Sequence, residues 1–467
     1  MATILSSARV WACNEFGGAK LGRIDTVRRL VQIAERFADN PGAIVSTAIR
    51  RSAEREGAYR FMEREVDTQG IADASFTATI ARICGAPFAY VPIDGTSLQI
   101  GDVEHTKGTG PIGARTFPTR GFQIMSSLVV TPDGVPQGLC ALSWWSRSDA
   151  PPTQASKKRK VEDKETKYWL ENVRATRIKF KGSGCRPWMQ LDRGGDAWTV
   201  LLEAHADESW LTVRASYSRR LRTAPSQERE YLWPKVAMAP VLGRYAVEIP
   251  AGPNRRARTA VLEVRASEVT LDLQVQGTSA RKPVTVWAVM ARETAKTAGD
   301  DEPIEWMLLT TFPAATFEAA CTVLYGYTQR WRIEEFHKAW KSGACNIEDT
   351  QLESESGIRA LATILAAVAT RLLRMTYLAR ATPELPASVE FSPSEIRAAA
   401  LLVGKRRVRV ATVTMKTITN WIATVGGYID RKSALPPGLI VLTRGLRLVE
   451  SAALALRTQE GIGEAEE

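Results

Sequence analysis

The sequence predicts an α/β protein in which a sheet-forming middle is flanked by helical segments at both ends of the chain. Helical periodicity over residues 1–70 is the first observation, and its return from residue 356 to the end is the second. The third is a series of short apolar runs between them that alternate with helical patterns, which is typical of a sheet packed against helices. A chain of 467 residues is too long for one core, so we expect roughly two to four domains.

The N-terminal segment, residues 1–70, is predicted to form a compact basic helical module. Its apolar positions are Val27, Leu30, Val31 and Ile33, and its basic positions are Arg23, Arg28, Arg29, Arg36, Arg50 and Arg51. A module of this kind docks onto DNA, although the same pattern also describes a solvated charged face.

Residues 71–215 are predicted to form the first part of a sheet. The runs FAYVPID, which ends at Asp94, and RPWMQLD, which ends at Asp192, have the composition of strands. Two further runs, GFQIMSSLVVTP and VPQGLCALSWW, meet at a turn signal and indicate a pair of strands. A helix over residues 197–206 and the strand SWLTVRA complete the alternation of sheet and helix.

Residues 216–305 are predicted to form an antiparallel β insertion, because YAVEIP, TAVLEVRA, VTLDLQVQ and VTVWAVMA all alternate apolar and polar positions. The chain then returns to the sheet through EWMLLTTF, at the start of a second core segment, residues 306–355. A long helix is predicted there, from Thr316, whose hydroxyl can cap it, to about Lys341. Residues 356–467 indicate helices that form a bundle or a dimer surface.

The charge of the chain favours a polyanionic partner. The formal net charge is +11 and the isoelectric point is near 9.4, and Lys and Arg that neutralise phosphates release condensed counterions. Nucleic acid is the leading candidate, with ribosomal or nonspecific binding as the alternative. The run Lys157, Lys158, Arg159 and Lys160 resembles a nuclear-import signal, but it is also typical of a mobile basic loop.

The composition excludes several other classes of protein and site. None of the six cysteines lies in a CxxC pair, which argues against a disulfide framework and a zinc site. Three scattered histidines do not support a histidine-ligated metal or a serine–histidine hydrolase, so the chemistry must depend on carboxylates. The longest apolar stretch, residues 360–370, is shorter than the roughly 20 residues that cross a bilayer. Without a membrane segment or a secretory signal, we expect a cytoplasmic protein.

One predicted helix carries a stripe of functional residue types. Tyr327, Arg330, Glu334 and Lys341 return to one helical face at separations of three, four and seven residues. A surface helix with salt bridges would give the same stripe. However, Trp331, Phe336 and Trp340 interleave with the charges, and Arg332, His337 and Lys338 add donors, which suits an element that packs on a core and presents cations to a phosphate backbone.

Two aspartates complete a set of carboxylates. Asp94 and Asp192 each follow an apolar strand, where an α/β sheet leaves side chains facing a ligand crevice, although an aspartate there is also an ordinary turn residue. With Glu334 they supply the hard oxygen ligands that Mg²⁺ prefers. Asp196 is a nearby competitor for the role of Asp192. A glycosidase would also use paired carboxylates, but it would not need the cations that flank Glu334.

The segment YTQRWRIEEFHKAWKSGA, residues 327–344, fits a Y-x2-R-x3-E-x6-K signature. Together with IDGTSL, LDRGGD, EWMLLT and EGAYRF it resembles the insertion-sequence-4 family of bacterial cut-and-paste transposases across nearly the whole chain. The resemblance implies an RNase H-like catalytic core with a β-rich insertion, between an N-terminal end-recognition domain and a C-terminal dimerisation domain. One departure is Gly194, where the family often has an acidic residue.

The resemblance also implies roles for individual residues. Asp94, Asp192 and Glu334 correspond to a catalytic triad that holds two Mg²⁺ ions, for which Mn²⁺ can substitute. The family's contacts to the DNA end map onto Tyr327, Arg330, Lys341, Arg214 and Arg29. Trp306 resembles a tryptophan that stacks on a flipped-out base, although a strand tryptophan is also an ordinary core residue.

The partners implied by the resemblance are double-stranded DNA, as transposon ends and as target, and a second copy of the chain in a synaptic homodimer. The implied setting is the nucleoid in the bacterial cytoplasm. The implied reaction is strand cleavage at the transposon ends, formation and resolution of a hairpin, and strand transfer into target DNA. The alternative is a catalytically silent DNA-binding protein that inhibits transposition.

Overall fold

The computed structural model describes residues 6–64, 66–113, 119–150, 159–224, 226–249, 257–275, 278, 280–294, 302–429 and 437–459. Lys157 and Lys158 lie outside these ranges, so the two readings of the basic run remain predictions. Within the described ranges the chain is mixed α/β, with one large mixed sheet and helices at both ends. The predicted fold class is therefore confirmed at this level.

The N-terminal segment is helical. Its helices are α1 (Ser7–Phe16), α2 (Ile24–Asp39), α3 (Val45–Ala48), α4 (Ser52–Glu63) and α5 (Thr68–Arg82). The Ser6 side chain accepts a hydrogen bond from the backbone of Arg9 and so caps α1. The predicted apolar stripe of α2 is buried, while Arg23 and Arg28 on its other side are exposed.

Ten strands form a single sheet within the described residues. They are β1 (Phe88–Gln99), β2 (Gly110–Pro111), β3 (Arg120–Val130), β4 (Pro136–Trp145), β5 (Arg186–Leu191), β6 (Trp210–Arg214), β7 (Val241–Ile249), β8 (Arg258–Gln274), β9 (Arg281–Glu293) and β10 (Glu305–Thr310). The order across the sheet is β2–β3–β1–β5–β6–β10–β9–β8–β7, with β4 also paired to β3. Strands β1, β5 and β6 are parallel to one another, and the remaining pairs are antiparallel.

The predicted antiparallel segment, residues 216–305, continues the central sheet. It holds β7, β8 and β9, which pair antiparallel, and β9 then pairs with β10 along six residues. The short helix α8 (Leu232–Ala237) packs against β8 and β9. Pairing between β9 and β10 therefore joins the insertion to the rest of the sheet. The alternation of apolar and polar residues within each strand does not predict this pairing.

Both faces of the sheet are buried, and the two faces belong to different cores. Ala89, Val91 and Ile93 of β1 pack in the core that contains α6 (Thr166–Phe180) and α7 (Trp198–Ala206). Tyr90 points the opposite way, into the core that contains α9 (Phe317–Thr328) and α10 (Trp331–Lys338). Because side chains alternate along a strand, Asp94 belongs to the face of Tyr90.

The long helix predicted from Thr316 to Lys341 is interrupted. Thr316 caps α9 as expected, with its hydroxyl accepting from the backbone N–H of Ala319 at 3.2 Å. The chain then turns at Gln329 and Arg330 before α10, and a π-helical turn follows at Ala339–Gly343. The interruptions place Arg330 at a helix junction and Lys341 in a wider turn, a feature that often occurs at functional sites.

The C-terminal segment consists of α11 (Glu355–Ala381), α12 (Pro393–Leu402), α13 (Met415–Val425) and α14 (Leu439–Gln459). Helix α11 is long and apolar enough to cross a bilayer by length and composition, but 89% of its apolar window is buried inside the protein. Core helices pass the same test, so this is weak evidence for a membrane. Its contacts with α2, α4 and α5 join the two helical ends of the chain.

Candidate functional site

The two predicted aspartates lie side by side at one edge of the parallel pair β1 and β5. The last paired residues of these strands are Ile93 and Leu191, and the aspartates directly follow them. Strand β1 does not end at Asp94 as predicted, because it continues to Gln99 by pairing with β3. The chain turns after β5 instead, and Asp192 Oδ1 accepts a hydrogen bond from the backbone N–H of Gly194 at 2.7 Å.

Helix α9 approaches the sheet closely just before the predicted stripe. A Cβ atom added to Gly326 would lie 2.5 Å from Cε1 of Tyr90 and 3.3 Å from Nε2 of Gln190. Only glycine permits this spacing, because real Cβ contacts are longer. Gly326 therefore lets α9 and the residues that follow it reach the strand edge that carries the two aspartates.

Arg330 joins two of the three predicted carboxylates. Its Nη1 donates to Oδ2 of Asp94 at 2.9 Å, and its Nη2 donates to Oε1 of Glu334 at 2.6 Å. The Arg330 and Asp94 side chains are only 13% and 16% exposed, whereas Glu334 is 36% exposed. The guanidinium thus lies between the two carboxylates, with Glu334 on the more open side.

Asp192 belongs to the same electrostatic cluster. Burial and the charge of Asp192 raise the pKa of Asp94 to about 6, and Glu334 adds to this rise. The Arg330 guanidinium and the hydrogen bond from Gly95 act in the opposite direction. The cluster therefore gathers more negative charge than a single arginine neutralises, which is the condition that favours further cations.

Tyr327 and Trp306 form one wall of this cluster. Their ring centroids are 5.5 Å apart in an edge-to-face arrangement, and Tyr327 is only 7% exposed. Burial raises the pKa of Tyr327, while the nearby Arg330 and Arg214 oppose the rise. Arg214 donates from Nη2 to the backbone carbonyl of Glu305 at 3.0 Å, so Tyr327, Trp306, Arg214 and Arg330 lie near one another, and their role as DNA contacts stays a prediction.

His337 lies behind the cluster and has an internal partner. Its Nε2 is 2.7 Å from the Ser126 hydroxyl, and the ring is 7% exposed. Burial, Lys341 and Arg330 lower the pKa of His337 to about 3, so the ring is neutral at neutral pH. We predicted His337 as a DNA contact, but in this conformation it links α10 to β3 and presents no charge to a phosphate.

Lys341 lies at the other end of the stripe, in the π-helical turn. Its Nζ is 3.6 Å from Oε1 of Glu348, and the same carboxylate oxygen accepts from the backbone N–H of Gln99 at 2.8 Å. Glu348 thus positions Lys341 beside the extended end of β1. Sequence reasoning missed Glu348, and no local pattern marks it, because its partners are distant along the chain.

Of the remaining predicted DNA contacts, two are exposed and two pack against other parts of the protein. Trp331 and Lys338 are exposed on α10. Arg332 instead packs over the Tyr377 ring and bonds to its hydroxyl at 2.9 Å, which commits this cation to the C-terminal helices. Arg29 lies against Gly57 of α4, where an added Cβ would be 2.7 Å from its Cζ atom, and it donates to Gln32.

Asp196, the competitor of Asp192, has a structural role. It is buried with Arg219, at 2.6 Å between Oδ1 and Nη2, and it also accepts from the backbone and hydroxyl of Ser216. Both carboxylate oxygens of Asp196 are therefore already bonded, one to Arg219 and the other to Ser216. Gly194 also has a local cause, because a Cβ there would lie 3.0 Å from Cζ2 of Trp169. A side chain at this position would therefore require Trp169 to shift by a few tenths of an ångström.

The carboxylate oxygens of the cluster suit a hard divalent cation, but two of them already accept hydrogen bonds from Arg330. Among the described residues, no three His, Cys, Asp or Glu side chains are grouped so that they could hold one ion. The carboxylates of Asp94, Asp192 and Glu334 have the oxygen chemistry that Mg²⁺ prefers. The guanidinium of Arg330 lies between two of them and bonds to one oxygen of each.

Two family models match the ends of the chain. The model described as transposase DNA-binding matches residues 8–66, and the model described as transposase Tn5 dimerisation domain matches residues 367–460. Both matches fall within the terminal segments that are helical in the structure. They support a Tn5-like DNA transposase that binds DNA and forms a homodimer.

Proposed function

We propose that this chain is a cut-and-paste DNA transposase of the insertion-sequence-4 family, with Asp94, Asp192 and Glu334 as its catalytic carboxylates. The observation that carries the proposal is a link between these three residues, which are separated by 98 and 142 residues in sequence. The parallel register of β1 with β5 places Asp94 and Asp192 after neighbouring strands, and Arg330 bonds to both Asp94 and Glu334. Such a cluster beside cations fits phosphoryl transfer better than glycoside hydrolysis.

The sheet supports an RNase H-like core. Its first long strand lies in the middle, with two antiparallel strands on one side, β3 and β4, and two parallel strands on the other, β5 and β6. Helix α10 supplies the third carboxylate from the face of the sheet. The β7–β9 segment would then be the family's β-rich insertion, placed between β6 and β10 along the chain.

The chemistry that we propose follows from the residues at this edge. Two bound Mg²⁺ ions, or Mn²⁺ in their place, would lower the barrier to in-line displacement at phosphorus. Asp94, Asp192 and Glu334 would hold them, while Lys341 and Arg330 bind the DNA backbone and orient the scissile phosphate. Water attack would free a 3′ hydroxyl, which then attacks the opposite strand to form a hairpin and, after hairpin opening, attacks target DNA.

The terminal segments would supply specificity and geometry. We propose that residues 8–66 recognise the transposon end, with Arg29 among the contacts, and that residues 367–460 pair two copies in a synaptic complex. Trp306, partly buried beside Tyr327, would stack on a base that is flipped out at the cleavage point. The protein would act on the nucleoid in the bacterial cytoplasm.

The direct test is the variant Glu334→Ala on labelled DNA that carries the ends of the protein's own element. The wild type should nick this DNA with Mg²⁺ and not without it, and Glu334→Ala should bind it equally well without nicking. Glu318→Ala, which removes an exposed glutamate of α9, is the matched control and should cleave normally. Nicking by Glu334→Ala would overturn the assignment. End binding without nicking by the wild type would favour the inhibitor instead.

A further inference from the structure

Arg330 holds the two carboxylates that the proposed function assigns to a cation. Both of its bonds use terminal nitrogens of one planar guanidinium, so a single group satisfies an oxygen of Asp94 and an oxygen of Glu334. Arginine suits this geometry because its fixed fork of donors matches carboxylate oxygens. The two carboxylates are therefore satisfied by the protein itself.

The bridge is internal to the protein. The Arg330 side chain is 13% exposed, and its charge also opposes the rise in the pKa of the buried Tyr327. Lys341 is not placed to substitute for it, because its ammonium group lies near Glu348. Removal of Arg330 would leave Asp94 and Glu334 without their shared partner, and the charge of Asp192 would still act on Asp94.

We infer that Arg330 occupies the position of a divalent cation, and that the cation and Arg330 compete for Asp94 and Glu334. This inference rests on the proposed function of the site. An ion bound by these oxygens and a guanidinium on the same oxygens would repel each other at short range, in a partly buried place where such repulsion is strong. Arg330 must leave for the cation to bind, and a DNA phosphate is the natural acceptor for it.

The competition would order the assembly of the active site. Without DNA, Arg330 keeps the carboxylates occupied and the affinity for the cation is low. A phosphate that captures Arg330 frees Asp94 and Glu334, so DNA and cation bind with positive coupling. The free protein is thereby kept from loading its cleavage centre away from DNA.

The test measures Mn²⁺ binding to the full chain without DNA, by calorimetry and by electron paramagnetic resonance. Arg330→Ala should bind Mn²⁺ roughly tenfold more tightly than the wild type, as expected for the loss of one competing charge-assisted contact. Arg332→Ala is the matched control, because Arg332 is a neighbouring arginine that pairs with Glu335 and Tyr377. It should leave Mn²⁺ affinity unchanged. The double variant with Glu334→Ala should lose the gain.

A second variant and a second measurement keep the test decisive if Arg330→Ala does not fold. Arg330→Lys keeps a cation but cannot grip two oxygens at once, so its Mn²⁺ affinity should also exceed that of the wild type. Mn²⁺ should raise the melting temperature of both variants more than that of the wild type. Equal or weaker Mn²⁺ binding by folded Arg330 variants would overturn the competition, as would a gain that survives Glu334→Ala. If the wild type still cleaves end DNA in that case, only the competition fails and the proposed function stands.

Discussion

The Ser126 hydroxyl lies 2.7 Å from Nε2 of His337, and this contact fixes α10 to the sheet directly behind Asp94. Ser126 is the residue of β3 that pairs with Asp94 on β1, while His337 lies one helical turn after Glu334. Both partners are buried. The pair therefore sets how far Glu334 lies from the strand that carries Asp94.

Ser126→Ala should loosen this link. The buried His337 ring would lose its partner, which costs about 1–3 kcal/mol of unfolding free energy. We also expect a higher Mg²⁺ concentration for half-maximal cleavage, with unchanged DNA affinity, because Glu334 is held less firmly. The measurements are urea unfolding and a Mg²⁺ titration of end cleavage.

Ser75→Ala provides the matched control for Ser126→Ala. Ser75 is equally buried and donates to Oε1 of Glu15 at 2.5 Å, among the N-terminal helices. It should cost similar stability without changing the Mg²⁺ dependence. An identical Mg²⁺ response in the Ser126→Ala protein would show that the pair does not position Glu334.

Gly326→Ala should damage the site through packing. The added methyl group would collide with the buried Tyr90 ring, so α9 must shift or the ring must leave its position. Overpacking of this kind costs about 1–3 kcal/mol. The rate of end cleavage should fall by more than the lost stability explains, because Tyr327 and Arg330 follow Gly326 closely and would be displaced with it. Gly18→Ala, where the new methyl group meets nothing within 4 Å, should be neutral in both assays.

The sequence predicted the parts of this site that follow local rules. Asp94 and Asp192 stand out because each follows an apolar strand, and Arg330 and Glu334 share a helical face at a spacing of four residues. The structure places these side chains in one cluster. Even the interrupted helix keeps Arg330 bonded to Glu334, because Arg330 is the N-cap residue of α10 and has helical backbone angles, φ −54° and ψ −33°.

Local sequence patterns do not predict contacts between distant segments of the chain. The bond from Arg330 to Asp94 joins residues 236 apart, and the Ser126–His337 contact joins residues 211 apart. Helix α6 was also missed, since its apolar positions are interrupted by charges and its buried face is formed by packing on β4, β3 and β5. The join of the β insertion to the core depends on pairing between β9 and β10, which alternation alone cannot assign.

The contact between the N-terminal and C-terminal helices should depend on pH. Burial, with the nearby carboxylates of Asp39 and Glu395, raises the pKa of Glu450 to about 9, although Arg457 donates to it at 2.5 Å. The folded chain therefore keeps a proton on Glu450 that the unfolded chain loses above its ordinary pKa of 4.5. Since the folded state binds more protons, this group makes the unfolding free energy fall as the pH rises from 4.5 towards 9.

Glu450→Gln should remove that pH dependence. At about pH 8 the variant should be more stable than the wild type, because each pH unit above the ordinary pKa of 4.5 adds up to about 1.36 kcal/mol to the difference. At about pH 5 the difference should be less than about 1 kcal/mol, because this pH is only slightly above the pKa at which the unfolded wild type loses the proton. Urea unfolding at the two pH values measures the difference, with the exposed Glu318→Gln as control. A stability gap that does not grow with pH would contradict the proposed proton.

Asp192 and Asp196 lie four residues apart, and substitution by asparagine should separate their roles. Asp196 pairs with Arg219 inside the protein, where both are under a tenth exposed, so Asp196→Asn leaves a buried guanidinium without its countercharge. Breaking such a pair costs about 3–5 kcal/mol.

In Asp192→Asn the side-chain oxygen can still accept from Gly194, so the turn should persist and the melting temperature should be unchanged. This variant should nevertheless lose Mg²⁺-dependent cleavage, because an amide is a poor ligand for the ion. Thermal melting and end cleavage measured on both proteins distinguish the two effects. Full cleavage by a stable Asp192→Asn protein would remove Asp192 from the catalytic set.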